Sequence, residues 1–299
     1  MDIMLAEIKI KGVINMEETR SAQGLWKACY QMEVSAALQI EKVLKPFEVP
    51  IENLYECGIE VATLNRKTTD MSEGLKIGGI FLKRCLTDLR SIWGLLQIGY
   101  TSQAACIAAA TFENALLVEA ISNDSDKARE LSNSELGDTP WSVVNLCKFH
   151  AEQARQEAVI LVKSFSEKEY ELTWMQLYSA YKWLCKIKHP TIPSAIHDMG
   201  TSYHNEEYVI MAVPDTREED IPIKYTILVI VINRIRSAIR NFAFGSDIDY
   251  LDEGVKRWLQ RFNSILEETV KIYDSDNLGC LPFTVTDKSL IKKFRALSE

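Results

Sequence analysis

The sequence predicts an all-α protein: an elongated helical bundle with long antiparallel helices and one small β-hairpin. Three observations point there. Gly and Pro together number only 21 of 299 residues, against an average usage of about 12%, so turn-formers are scarce. Apolar residues recur at steps of three and four over several long stretches. Only one segment, 207–213 (EYVIMAV), has the composition of a strand.

Residues 1–16 alternate apolar and charged side chains, Ile8 and Ile10 against Lys9 and Lys11, which suits a short strand or arm. From Glu17 to about Lys45 the pattern Leu25, Cys29, Met32, Ala36, Ile40, Val43, Leu44 predicts one helix, stopped by Pro46 and Pro50. The stretch to Ser72 is mixed and polar. Leu75 to Tyr100 predicts a second helix, with Ile80, Leu86, Leu89, Trp93 and Leu96 on its apolar side. Gly99 serves as its C-terminal cap, and Thr101 or Ser102 can cap the next helix. That helix, Gln103 to Ser122, is Ala-rich and apolar nearly all round, as a central buried helix should be.

Residues 123–140 are polar and interrupted, a short helix and a loop. Trp141 to Phe165 reads as a helix, and Ser166 with Glu169 forms a capping box that opens another, ended by His189-Pro190. After a loop and the strand, Asp220 and Pro222 start a long helix to about Phe244. Gly245-Ser246-Asp247 breaks it, a last long helix spans Ile248 to Tyr273, and a short basic helix near 290–297 closes the chain. No repeat or linker composition divides it, so residues 1–299 are expected to form a single domain: an N-terminal arm and helix (1–74), a core (75–245) and C-terminal helices packed on it (246–299).

Composition excludes some functions. The formal net charge is −8, which argues against broad nonspecific nucleic-acid binding but leaves room for a local basic patch. Seven scattered cysteines without a Cys-x-x-Cys pair suggest neither a disulfide framework nor a zinc ribbon. The most apolar run, Ile227 to Ile232, is too short to cross a bilayer that needs about 20 residues. No basic leader with an apolar core opens the chain. A cytoplasmic protein without membrane contact is the expectation. P-loop, Rossmann, zincin and nucleophile-elbow signatures are absent, and no cofactor is implied.

Three of the four histidines, His189, His197 and His204, fall within HPTIPSAIHDMGTSYH, and Cys185 lies one turn before His189. A metal centre from these four matches no familiar ligand spacing, and none is expected. A more specific reading takes His189 as acid or base at the end of a helix carrying Lys182, Lys186 and Lys188, where the lysines would steady phosphate oxygens. The plainer alternative is a helix C-terminus stabilised by cations. Glu113 interrupts the Ala-rich helix and could face Lys182 or His189 across the bundle, or lie on a wet edge. Arg236 and Arg240, one turn apart within a basic cluster, could contact phosphates or pair with nearby acids.

Four segments together resemble a known family. They are Leu95–Tyr100 ending in Gly-x, Ala104–Ile121 carrying Phe112-Glu113, Tyr181–Pro190 (Tyr-Lys-x-Leu-Cys-x-x-x-His-Pro), and Glu206–Val231 with its Pro214-Asp215 and Asp220. The sequence is similar to uncharacterised bacterial helical proteins related to the HEPN group (higher eukaryote and prokaryote nucleotide-binding), over roughly residues 75–245. The resemblance implies an α-helical bundle, a homodimer, and a place in toxin–antitoxin or defence systems. It also implies either a metal-independent RNase, with His189 as acid or base, Lys182 as phosphate clamp and Glu113 orienting them, or an RNase remnant. The family's Arg is replaced by Lys182, with six residues between it and His189, and the polar residue after that Arg is Trp183. The alternative is a noncatalytic sensor or adaptor binding a protein or nucleotide partner.

Overall fold

The computed structural model describes residues 24–68, 70–134, 138–189, 192–204, 207–208, 213–275 and 281–283. Among them the fold is all-α. Ten helices succeed one another: α1 (Leu25–Leu44), α2 (Glu48–Glu60), α3 (Glu73–Gln97), α4 (Thr101–Ile121), α5 (Ser125–Ser132), α6 (Val143–Ile160), α7 (Glu167–Lys188), α8 (Ile192–Ser202), α9 (Ile221–Gly245) and α10 (Glu253–Ser275). A two-residue antiparallel ladder pairs Tyr203 with Tyr208 and His204 with Glu207. The remainder of the expected strand (209–212), the arm at 1–16 and the closing helix at 290–297 lie outside the described residues.

Helix α4 is the hub, packed by α3, α5, α6, α7 and α9. Ala104, Ala105, Ala108, Ala109 and Ala115 are fully buried along it, and their small side chains bring neighbouring helices close. It is also the one helix among the described residues long and apolar enough to cross a membrane, and most of that stretch is buried inside the bundle. One apolar core runs from Ala36 to Phe283, through Leu54, Leu89, Phe112, Leu184, Ile232 and Trp258. Each large side chain removed from water there contributes about 1.5–3 kcal/mol.

Local chemistry sets the helix ends. Ser72 and Ser142 accept backbone N–H groups at the starts of α3 and α6. At the start of α7 the predicted capping box is present: the Ser166 hydroxyl accepts from the Glu169 N–H, and the Glu169 carboxylate accepts from the Ser166 N–H. Three expectations need correction. Pro46 and Pro50 do not open a polar stretch. Pro46 lies in a 3-10 turn, and Pro50 lies in the first turn of α2, where a missing N–H costs nothing. Helix α6 stops at Ile160, because Val162 takes a left-handed φ of 55°. Neither Thr101 nor Ser102 caps α4; both side chains are drawn to acids from later in the chain. In addition, Ile80 is exposed rather than on the buried side of α3.

Candidate functional site

The C-terminal half of α7 carries the residues that the sequence singled out. Lys182, Lys186, Lys188 and His189 are all exposed. The His189 N–H donates to the Cys185 carbonyl as the helix C-cap, and its carbonyl accepts from the Ser194 hydroxyl at 2.7 Å. Cys185, the sulfur of the four-residue metal alternative, is buried; the His204 side chain is outside the described residues. Glu113 is half-buried and accepts a 2.8 Å hydrogen bond from the Tyr181 hydroxyl. Its partner is thus the residue before Lys182, and among the described residues it forms no ion pair with Lys182 or His189. Burial, then Cys185 and Glu113, push the Tyr181 phenol up. Arg236 lies over the Phe262 ring at 4.7 Å and is half-buried, while Arg240 pairs with Glu157 at 3.1 Å. These two arginines are engaged with α10 and α6 respectively.

Two polar networks were not anticipated. The first joins the start of α4 to the start of α9. Gly99, at φ 85°, lets the chain pass so close to residues 214–215 that a Cβ there would stand 2.8 Å from Pro214. The Asp215 N–H donates to the Gly99 carbonyl at 2.8 Å. Arg217 then wraps the Asp215 carboxylate, Nε to Oδ1 at 2.9 Å and Nη2 to Oδ2 at 2.5 Å, and also reaches the His197 carbonyl. A Cβ at Gly200 would meet the Arg217 guanidinium, so a side chain there would make Arg217 shift. Burial alone would raise the Asp215 carboxyl, but the Arg217 hydrogen bonds outweigh it and hold it below the ordinary range.

Behind it, Asp220 and Lys224 form a buried ion pair one helical turn apart. Thr101 Oγ1 donates to Asp220 Oδ2 at 2.5 Å, and Lys224 Nζ also donates to the Asp215 carbonyl at 2.9 Å. Among the described residues, the other carboxylate oxygen, Oδ1, is buried without a hydrogen bond. His197 Nε2 stands 3.4 Å from it. His197, Asp215 and Asp220 bring one ligand atom each within 4.8 Å of one another. That geometry alone would admit a cation. The two carboxylates already hold Lys224 and Arg217, however, so a metal ion would have to displace both.

The second network is centred on Glu119 of α4, which is 1% exposed. His150 Nδ1 of α6 lies 2.5 Å from Oε2, Arg234 of α9 lies 3.5 Å from Oε1, and Gln153 donates to the Glu119 carbonyl at 2.8 Å. Burial works to raise the Glu119 carboxyl, yet His150 and Arg234 together bring it below its ordinary value. Cys85 and Cys147 lie nearby with thiols pushed up by burial, so they are not poised as thiolates.

Sequence reasoning missed both networks. The available signal was the Asp220–Lys224 spacing of four at the head of a helix too apolar to leave either group solvated.

His197 also borders a cleft of about 400 Å³ formed by α7, α8, α9 and α10. Trp183 and Ile223 supply apolar wall, and Tyr273 and Lys186 also line it. Comparison of the chain with protein-family models, curated proteins and solved structures yields no match.

Proposed function

We propose that the protein is a HEPN-like helical protein, in the elongated antiparallel arrangement with one hairpin, that binds RNA or a nucleotide phosphate: an RNase remnant rather than an active nuclease. The observation that carries this reading is the cationic strip at the end of α7. Lys182, Lys186 and His189 recur at steps of four and three, so they share a helix face, and all are exposed. On a protein of net charge −8 such a strip is a local exception, and lysines of this kind bind phosphates as point charges. Catalysis asks for more. The carboxylate that would orient the pair, Glu113, already accepts the Tyr181 hydrogen bond. At 1.5 Å rise per residue, Lys182 and His189 also stand roughly 10 Å apart along the helix axis.

The test is RNA binding and cleavage by the purified protein with chelator present, alongside Lys182→Ala/Lys186→Ala and His189→Ala. Salt-dependent binding that the double lysine variant loses, without cleavage, supports the remnant. Cleavage abolished by His189→Ala would make it an active RNase. No binding at low salt removes the reading.

A second reading, an adaptor that engages a second copy of the chain, draws on α1. Trp26, Tyr30, Val34 and Leu38, at steps of four, form an exposed apolar stripe, with Trp26 90% exposed. Analytical ultracentrifugation of wild type and Trp26→Glu/Leu38→Glu decides it: a dimer that the double variant dissociates supports the stripe, and a wild-type monomer removes it.

A further inference from the structure

We infer that the outward face of α3 is a docking surface for a nucleic-acid duplex, held through its phosphate backbone by Lys76, Lys83, Arg84 and Arg90, none of which belongs to the α7 strip.

The face follows from the helix period. At about 100° per residue, these four cations fall within roughly 120° of the α3 surface, with Ile80, Thr87 and Ser91 between them, and all seven side chains are exposed. Leu75, Leu82, Leu86, Leu89, Trp93 and Leu96 lie opposite and are buried in the bundle. A Cβ added at Gly94, farther along the outer face, would meet nothing within 4 Å, so that end is open as well. The hydroxyls stay out of the way: Thr87 donates to the Lys83 carbonyl and Ser91 to the Thr87 carbonyl. Acids do not neutralise the stripe. Glu73, at its head, pairs with Arg129 of α5 at 3.3 Å. Asp88, at its edge, is half-buried, draws on Arg84 one turn before it, and accepts from Thr111 and Asn114 of α4. Among the described residues none of the four cations forms an ion pair.

The helix does not need these charges. Lys76 sits in the opening turn, at the positive end of the macrodipole, where a cation is unfavourable. Lys83 and Arg90 have no acid three or four residues away, so they are not part of a stabilising charge ladder. The composition of the face then selects its occupant. A protein partner or a membrane would call for an apolar patch, and Ile80 is the one apolar side chain exposed between the cations. A single strand is held largely by stacking on aromatic rings, and this face presents none. A duplex needs neither, since it offers a stiff row of phosphates at one negative charge per about 1.7 Å of axis. From Lys76 to Arg90 the stripe runs roughly 21 Å along the helix, the length of about six base pairs at 3.4 Å each. Such contacts are to the backbone and carry no sequence preference. On a chain of net charge −8 they are confined to a local patch.

Fluorescence anisotropy on the full chain would use a 20-base-pair DNA duplex, the same duplex in RNA, a 20-nucleotide single strand and a polyglutamate peptide, each from 50 to 200 mM salt. The expected result is salt-dependent binding of at least one duplex, with the single strand and the peptide at least about tenfold weaker; the two duplexes distinguish DNA from RNA as its source. Lys83→Ala/Arg90→Ala should weaken the duplex about tenfold at 50 mM salt and lower the slope of log affinity against log salt by about 1.8, at about 0.9 per lost phosphate contact. Lys42→Ala/Lys271→Ala, an equal loss of exposed charge from α1 and α10, should leave both nearly unchanged. Circular dichroism checks the fold of each variant, and Lys76→Ala/Arg84→Ala asks the same question should the first pair not fold. The proposal is overturned by no duplex binding at 50 mM salt, by a single strand or polyglutamate that binds as tightly, or by an α3 variant no weaker than the α1/α10 control. The same titrations in Lys182→Ala/Lys186→Ala read the α7 strip separately. Duplex binding lost only there overturns the α3 proposal and leaves the α7 reading standing, whereas duplex binding lost only in the α3 variants supports it whatever becomes of the α7 reading.

Discussion

The far end of α7 and the two polar networks around α4 and α9 hold similar residue types and use them in opposite ways. Along α7, Lys182, Lys188 and His189 project into solvent, and the fold asks little of their side chains. Across α4, α6 and α9, Asp220, Lys224, Glu119, His150 and Arg234 are withdrawn from water and bonded to one another. An exposed charge is cheap to keep and cheap to lose, so it is available for a ligand. A buried charge is tolerable only with its partner, so removing one member leaves the other stranded. The first region can be tested by binding with the fold intact; the second first reports on stability.

The contrast is broken most directly at Lys224. Lys224→Ala should destabilise the protein by about 3–5 kcal/mol, because Asp220 would remain as an uncompensated buried carboxylate. The double variant Asp220→Leu/Lys224→Met should recover most of that in a denaturant melt. Equal losses in single and double variants would mean that packing, not charge, carries the effect.

Glu119→Gln comes next, at about 3 kcal/mol, since Arg234 and His150 lose their counter-charge. It also has a pH signature. The Glu119 carboxyl is held below its ordinary 4.5 in the folded state. Its ionised form therefore stabilises the fold above about pH 4.5, and that contribution disappears as the pH falls through the lower folded value. Urea midpoints measured from pH 7 to 3.5 should fall more steeply in wild type than in Glu119→Gln.

Gly99→Ala should cost about 1–2 kcal/mol, for a side chain at positive φ pressed against Pro214 and Asp215. At the small end, Lys182→Ala and His189→Ala should change stability by less than about 0.5 kcal/mol, as exposed substitutions do. A large loss at either position would erase the distinction between the two regions.

How much of this was legible differs from element to element. The Ser166–Glu169 capping box, the Gly99 turn and the all-round apolar character of α4 could be read directly, because each depends on residues within a turn or two of one another. The α2 helix was hidden behind Pro46 and Pro50, since a proline in a first turn has the same letters as a proline that ends a helix. Thr101 illustrates a different loss: it has the composition of a cap, but Asp220, 119 residues later, competes for its hydroxyl. Glu113 was legible as a carboxylate inside an apolar helix, and its engagement with Tyr181 was not.

By itself the sequence determined the all-helical class, most of the helix boundaries and the cationic end of α7, because periodicity, caps and exposed charge are local properties of the chain. Only the tertiary structure decided which charges are buried together and which borders the cleft. His197 meets Asp220, and Glu119 meets His150 and Arg234, through helix packing across 23 to 115 positions of sequence. Pairing over such distances is set by how the apolar faces close on α4, and no spacing in the chain encodes it.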